Sequence, residues 1–134
     1  MHIHGRLKKI YRDALNFYAE QLFTPQMLRY IEVRVSFRKN LECSGFCIVD
    51  DYNILGQPRE FVIEVKKEDP EDEILQTLAH EMVHVRQYAR GELDEGMTVW
   101  RGRKVSSDEI PYEDHPWEKE ANRVGDKIYR EFMS

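Results

Sequence analysis

Two cysteines, Cys43 and Cys47, are too few for a disulfide framework, so the 134-residue chain must hold itself together by burying apolar surface. There is no cationic excess either: 20 basic against 25 acidic residues leave a net charge of −5. That balance argues against general nucleic-acid binding, which needs a basic footprint across the domain. No apolar stretch approaches the ~20 residues a membrane-spanning helix requires. The opening Met1-His2-Ile3-His4-Gly5-Arg6 carries no signal-peptide apolar region. Seven glycines and five prolines leave no room for a fibrous or low-complexity chain. What is present, 41% hydrophobic and 34% charged residues, suits one ordinary domain over residues 1–134, expected to be cytoplasmic and monomeric by default, with no membrane or nucleic-acid partner.

Hydrophobic spacing gives an α+β element order. Leu7, Ile10, Tyr11, Ala14, Phe17, Tyr18 and Leu22 recur at steps of three and four, predicting a helix over 6–23 that Thr24-Pro25 stops. Alternation over 30–38, 45–50 and 59–66 predicts three strands, with a hairpin connection across 53–58. Asp69 as N-cap and Pro70 as first residue open a helix that runs to about Arg90, where Gly91 ends it. Residues 97–105 read as a fourth strand and 106–115 as loop. Pro116 opens a last helix reaching about Phe132.

The chemistry lies in the middle helix. His80-Glu81-Met82-Val83-His84 is an HExxH motif, with a chance of about 2% in a shuffled chain of this composition. Ile74, Leu78, Met82, Val85 and Ala89 form an apolar stripe within about 80° of helix arc. His80 and His84 stand one turn apart on another face, so two imidazoles can converge on one metal ion. Glu81 falls between that face and the stripe, within reach of a water that zinc would acidify. A catalytic zinc ion takes a third protein ligand. Candidates lie at the start of the last helix, His115-Pro116-Trp117-Glu118-Lys119-Glu120-Ala121-Asn122, where Glu118 and Glu120 compete.

HExxH followed 34 residues later by Glu118-x-x-Ala121-Asn122 resembles the signature of gluzincin metallopeptidases. The element order is similar to that of their minimal single-domain members, the minigluzincins. The resemblance implies one catalytic Zn²⁺ held by His80, His84 and Glu118, with Glu81 as general base and acid. It implies that Asn122 orients a ligand histidine, and that His115 or Tyr112 stabilises the oxyanion of a tetrahedral intermediate. The implied fold is zincin-like: a small, mainly antiparallel sheet of three to four strands packed on the HExxH helix. The expected function is peptide-bond hydrolysis on extended or unfolded segments. Such a segment would pair with an edge strand, with 59–66 the first candidate and 97–105 the second. Two other readings stay open: a weak or inactive zincin-fold interaction module, phage- or toxin-related, and a zinc hydrolase acting on a non-peptide amide.

The remaining polar residues have ordinary readings. Gln87, one turn beyond His84, is either a cleft residue or an exposed glutamine. Cys43 and Cys47 read as free thiols, His2 and His4 as surface residues of a loose terminus, and Arg101, Arg103 and Lys104 as a solvated face.

Overall fold

The computed structural model describes residues 1–134. In chain order it contains β1 (His2–His4), α1 (Lys9–Leu22), the short α2 (Pro25–Leu28), β2 (Glu32–Arg38), β3 (Gly45–Tyr52), β4 (Pro58–Lys66) and α3 (Glu71–Ala89). A two-stranded ribbon of β5 (Val99–Trp100) and β6 (Arg103–Lys104) follows, then two 3₁₀ turns and α4 (Pro116–Met133). No helix is long and apolar enough to cross a membrane.

The sheet is mixed, in the order β1-β2-β4-β3, and this corrects the expectation of a mainly antiparallel one. β1 and β2 pair in parallel, β2 and β4 pair in parallel, and only the β3–β4 hairpin is antiparallel. Alternation reports which face a residue occupies, not which neighbour a strand takes. Glu60, Glu64 and Lys66 point to the outer face of β4, so their charge resembles that of an edge although β4 is central. The true edges are β1 and β3. The 97–105 segment is not a strand of this sheet but the separate β5–β6 ribbon. The histidine-bearing terminus is not loose either: β1 is paired along its length, and His4 lies 3.7 Å from Glu32.

β4 reaches the centre because the chain crosses over its end. Lys39 to Ser44 carry the backbone from β2 to the far side of β4, with Lys67 N–H bonding Arg38 O and Lys66 N–H bonding Ser44 O, both at 2.9 Å. Asn40 turns the corner at φ 60°, a left-handed conformation that asparagine tolerates. This crossing sets Cys43, Ser44 and Gly45 against α3. A Cβ on Gly45 would lie 2.7 Å from Thr77 Cγ2 and 2.6 Å from Glu64 O, so only glycine lets the strand start so close to the helix.

The inner sheet face supplies Val33, Val35, Cys47, Phe61, Ile63 and Val65, all buried beneath α3. The far side of α3 packs on α1 and α4, which contribute Leu15, Tyr18, Trp117 and Ala121. Tyr18 is fully buried and donates its hydroxyl to Leu75 O at 3.0 Å, which ties α1 to α3. α3 begins one residue later than predicted. Pro70, extended at φ −61° and ψ 157°, takes the cap position, and Asp69 makes no capping bond. Its C-terminus follows expectation, with Gly91 at φ 69° and Arg59 of β4 donating to Ala89 O at 2.9 Å. Thr24 does more than stop α1: its hydroxyl accepts from Met27 N–H and starts α2.

Candidate metal centre

α3 and α4 bring three potential ligand side chains to one point. Potential ligand atoms of His80, His84 and Glu118 all lie within 4.8 Å of one another. His80 Nε2 is 3.0 Å from Glu118 Oε1, His84 Nε2 is 3.2 Å from Glu118 Oε2, and the two Nε2 atoms are 3.2 Å apart. Helical spacing aims both imidazoles the same way. The approach of α4 does the rest: Ala121 is completely buried, and Gly125 packs against the backbone of His80 itself. Glu118, at the first turn of α4, then faces both rings and is 2% exposed.

Of the two competing glutamates, Glu118 joins the cluster and Glu120 does not. Glu120 Oε1 accepts from Gln87 Nε2 at 3.1 Å, and its carboxylate pairs with Arg86 at 3.5 Å and with Arg101.

The donor set suits a divalent cation such as zinc, two imidazole nitrogens and one carboxylate being a common three-ligand combination. Hydrogen bonding around His84 sharpens the fit. Gln87, expected on the cleft or the surface, is completely buried. Its Nε2 donates to Trp117 O at 3.0 Å and to Glu120 Oε1, so its Oε1 must face His84 Nδ1, 2.7 Å away. An oxygen there can only accept, so Nδ1 carries a proton and Nε2 is the atom left for the cluster. Burial opposes charge on Glu118, but hydrogen bonds from His80 and His84, the His84 charge and the nearby Tyr112 hydroxyl hold its carboxyl well below the usual range. Burial likewise opposes charge on His84, but the Glu118 carboxylate and the charge of Glu81 push its pKa up.

Glu81 is not on the half-exposed boundary its helix position suggests. It is 5% exposed and makes no side-chain hydrogen bond, yet it lines the cleft beside His80. Burial raises its pKa, with the two histidines opposing and Glu118 adding to the shift. A buried carboxyl group beside such a cluster has the burial and the raised pKa that mark candidate functional residues.

The cleft has a volume of about 430 Å³. Its walls come from the Cys43–Gly45 crossing, the outer turns of α3 at Gln76 and Thr77, Tyr112, and α4 at Asn122 and Asp126. Asn122 is therefore in the cleft, but it is exposed and bonds neither imidazole; the residue orienting His84 is Gln87. Tyr112 also lines the cleft, and burial of its hydroxyl together with the Glu118 charge raises its pKa. His115 does not. Its Nε2 donates to Ser107 O at 2.9 Å and Ile110 O at 3.0 Å, and its ring stacks on Trp117 at 4.7 Å, so it staples the 107–110 turn away from the cluster. Trp100 packs on Trp117 at 6.2 Å and Arg101 bridges Glu92 and Glu120, so neither forms a cleft wall. Cys43 is exposed on the rim and Cys47 is buried; both are free thiols.

The chain was compared with protein-family models, with curated proteins and with solved structures, and none matches.

Proposed function

We propose that the chain is a zinc-dependent peptidase of zincin type, with His80, His84 and Glu118 holding the metal and Glu81 moving the proton. The observation that carries this reading is the position of Glu81: buried, without a hydrogen-bond partner, next to a His-His-Glu cluster, and lining with His80 the cleft through which that cluster is reached. When bound, zinc supplies Lewis acidity that makes water a competent nucleophile near neutral pH. Glu81 takes a proton from the attacking water on a carboxylate oxygen and returns it to the leaving amine nitrogen. Its raised pKa suits both directions of transfer. Tyr112, on the cleft wall, is the hydroxyl donor for the developing oxyanion. Gln87 holds His84 so that Nε2 stays free for the metal.

The sheet order supports an extended substrate. β3 is an edge strand, and its first residue, Gly45, opens with Cys43 and Ser44 onto the same cleft as Glu81. A peptide adding to that edge would pass over the ligand cluster. Edge pairing engages main-chain groups, so it fits unfolded segments better than folded ones.

The test has two parts. Elemental analysis of the purified chain should give one zinc per chain in both wild type and Glu81→Gln. Cleavage of an unfolded protein or quenched peptide should be lost only in the variant. Zinc retained with no cleavage by the wild type would favour an interaction module. Glu118→Ala should weaken zinc binding by on the order of 100-fold, far more than any change at Glu120; equal losses would overturn the ligand assignment.

A further inference from the structure

Glu120 is a buried carboxylate 8% exposed, two residues from a metal ligand, and it touches neither histidine. Its partners define what it does. Gln87 Nε2 donates to Glu120 Oε1 at 3.1 Å, Gln87 Oε1 faces His84 Nδ1 at 2.7 Å, and no other side chain bonds that nitrogen. The amide thus stands between a carboxylate and an imidazole. On the far side, Arg101 clamps Glu120 from the β5–β6 ribbon, where it sits at φ 50° and also bonds Glu92 at 3.1 Å. Arg86 of α3 adds a second contact at 3.5 Å.

We propose that Glu120 is a positioning residue that acts on the metal centre through Gln87, fixing the orientation of the amide and so the tautomer of His84. The logic is one of donors and acceptors. If the Gln87 amide turned over, Nε2 would face His84 and force Nδ1 to accept. The ring proton would then sit on Nε2, which is the atom the cluster needs bare. Glu120 and Trp117 O can only accept from Gln87, so a reversed amide would set two lone-pair oxygens against a third. The carboxylate also polarises the amide, making its oxygen a stronger acceptor for the imidazole N–H. A carboxylate in direct contact with a ligand histidine works the same way; here one amide is interposed. Through Arg101 the ribbon, which lines none of the cleft, becomes part of the support of the metal site.

This inference rests on the metal-binding half of the proposed function and not on peptidase activity. Zinc dissociation constants should be measured by chelator competition for wild type, Glu120→Gln, Gln87→Leu and the double variant. The His84 Nδ1 proton should be followed by NMR in metal-free and zinc-loaded protein. The expected outcome is about 3–10-fold weaker binding for Glu120→Gln and about 10–100-fold for Gln87→Leu. The double variant should be no weaker than Gln87→Leu alone, because Glu120 would have lost its only path. The His84 Nδ1 proton should move upfield and exchange faster in Glu120→Gln. Additive losses, or an unmoved proton resonance, would show that Glu120 is only a structural anchor and overturn the proposal. Should Glu120→Gln fail to fold, Arg101→Gln, at a half-exposed side chain, should weaken zinc binding in the otherwise wild-type chain and add nothing in the Gln87→Leu background. If the wild type binds no zinc, the metal centre itself is refuted, while the proton resonance still reports on the relay.

Discussion

Gly125→Ala adds one methyl group where α4 meets α3, and the structure sets the size of the effect. The new Cβ would lie 3.0 Å from His80 Cα, 3.1 Å from His80 N and 3.4 Å from Ala79 C. Comfortable carbon contacts begin near ~3.5 Å, so α4 must retreat by roughly half an ångström. All three atoms are helix backbone and cannot swing aside. Two effects then compete. Replacing a mid-helix glycine stabilises the helix by about 1 kcal/mol, while overpacking a tight contact costs about 1–3 kcal/mol. The balance is a net loss of about 0–2 kcal/mol, or a Tm lower by up to about 8 °C in a chain of this size. The functional effect should be clearer than the thermal one. Glu118 lies two turns before Gly125 on the same helix, so moving α4 off His80 also lifts the carboxylate from both rings. Zinc affinity should fall about tenfold. Urea unfolding of the metal-free protein measures the first quantity and chelator competition the second. A variant stabilised by the full 1 kcal/mol of helix propensity, with unchanged zinc affinity, would refute the idea that this contact sets the geometry of the centre.

Other perturbations have defined outcomes. Tyr18→Phe removes a buried hydroxyl bonded to Leu75 O, and urea unfolding should register a loss of about 0.5–1.5 kcal/mol. His115→Ala frees the Ser107 and Ile110 carbonyls, and the same assay should show a loss of about 1–3 kcal/mol, without the drop in zinc content that a ligand would show. Burial works against the Asp94 carboxylate, but the Thr98 hydroxyl and the Thr98 and Val99 amides hold its pKa below the ordinary value. A depressed folded pKa means the contribution is complete above the unfolded value of about 3.9 and is lost as pH falls through the folded one. Amide protection factors at Thr98 and Val99, taken relative to the intrinsic exchange rate at each pH, should therefore fall on acidification below that point, and Asp94→Ala should abolish the protection at every pH. Free zinc at 100 times its Kd should stabilise the fold by about 2.7 kcal/mol, and a chelator should reverse it; a Tm indifferent to both would mean that metal is not held by the native state.

Local information served α3 and α4 well and the sheet poorly. HExxH declares itself because helical geometry converts a spacing of four into a shared face, and the Glu118 register follows from the same rule once Ala121 and Gly125 face α3. Strand order depends on a six-residue crossing at 39–44, whose direction no periodicity encodes, so β4 looked like an edge because its outer face is charged. Gln87 was ambiguous for a different reason. A glutamine three residues past a histidine looks alike on a wet or a dry face, and only Trp117 O and Glu120, 30 and 33 residues away, make its burial tolerable. His115 shows the mirror case: a histidine next to a ligand helix suggests chemistry, yet its Nε2–H is shared between two backbone carbonyls.

The contrast between the two thiols has a practical consequence. Cys47 sits on the inner face of the sheet, where burial pushes its pKa well up, whereas Cys43 is exposed at the mouth of the cleft. The native chain thus offers one attachment point for a thiol-reactive dye, within the same groove as Glu81. A fluorophore placed there would report in real time on whatever enters the groove, turning the unmodified sequence into its own occupancy gauge.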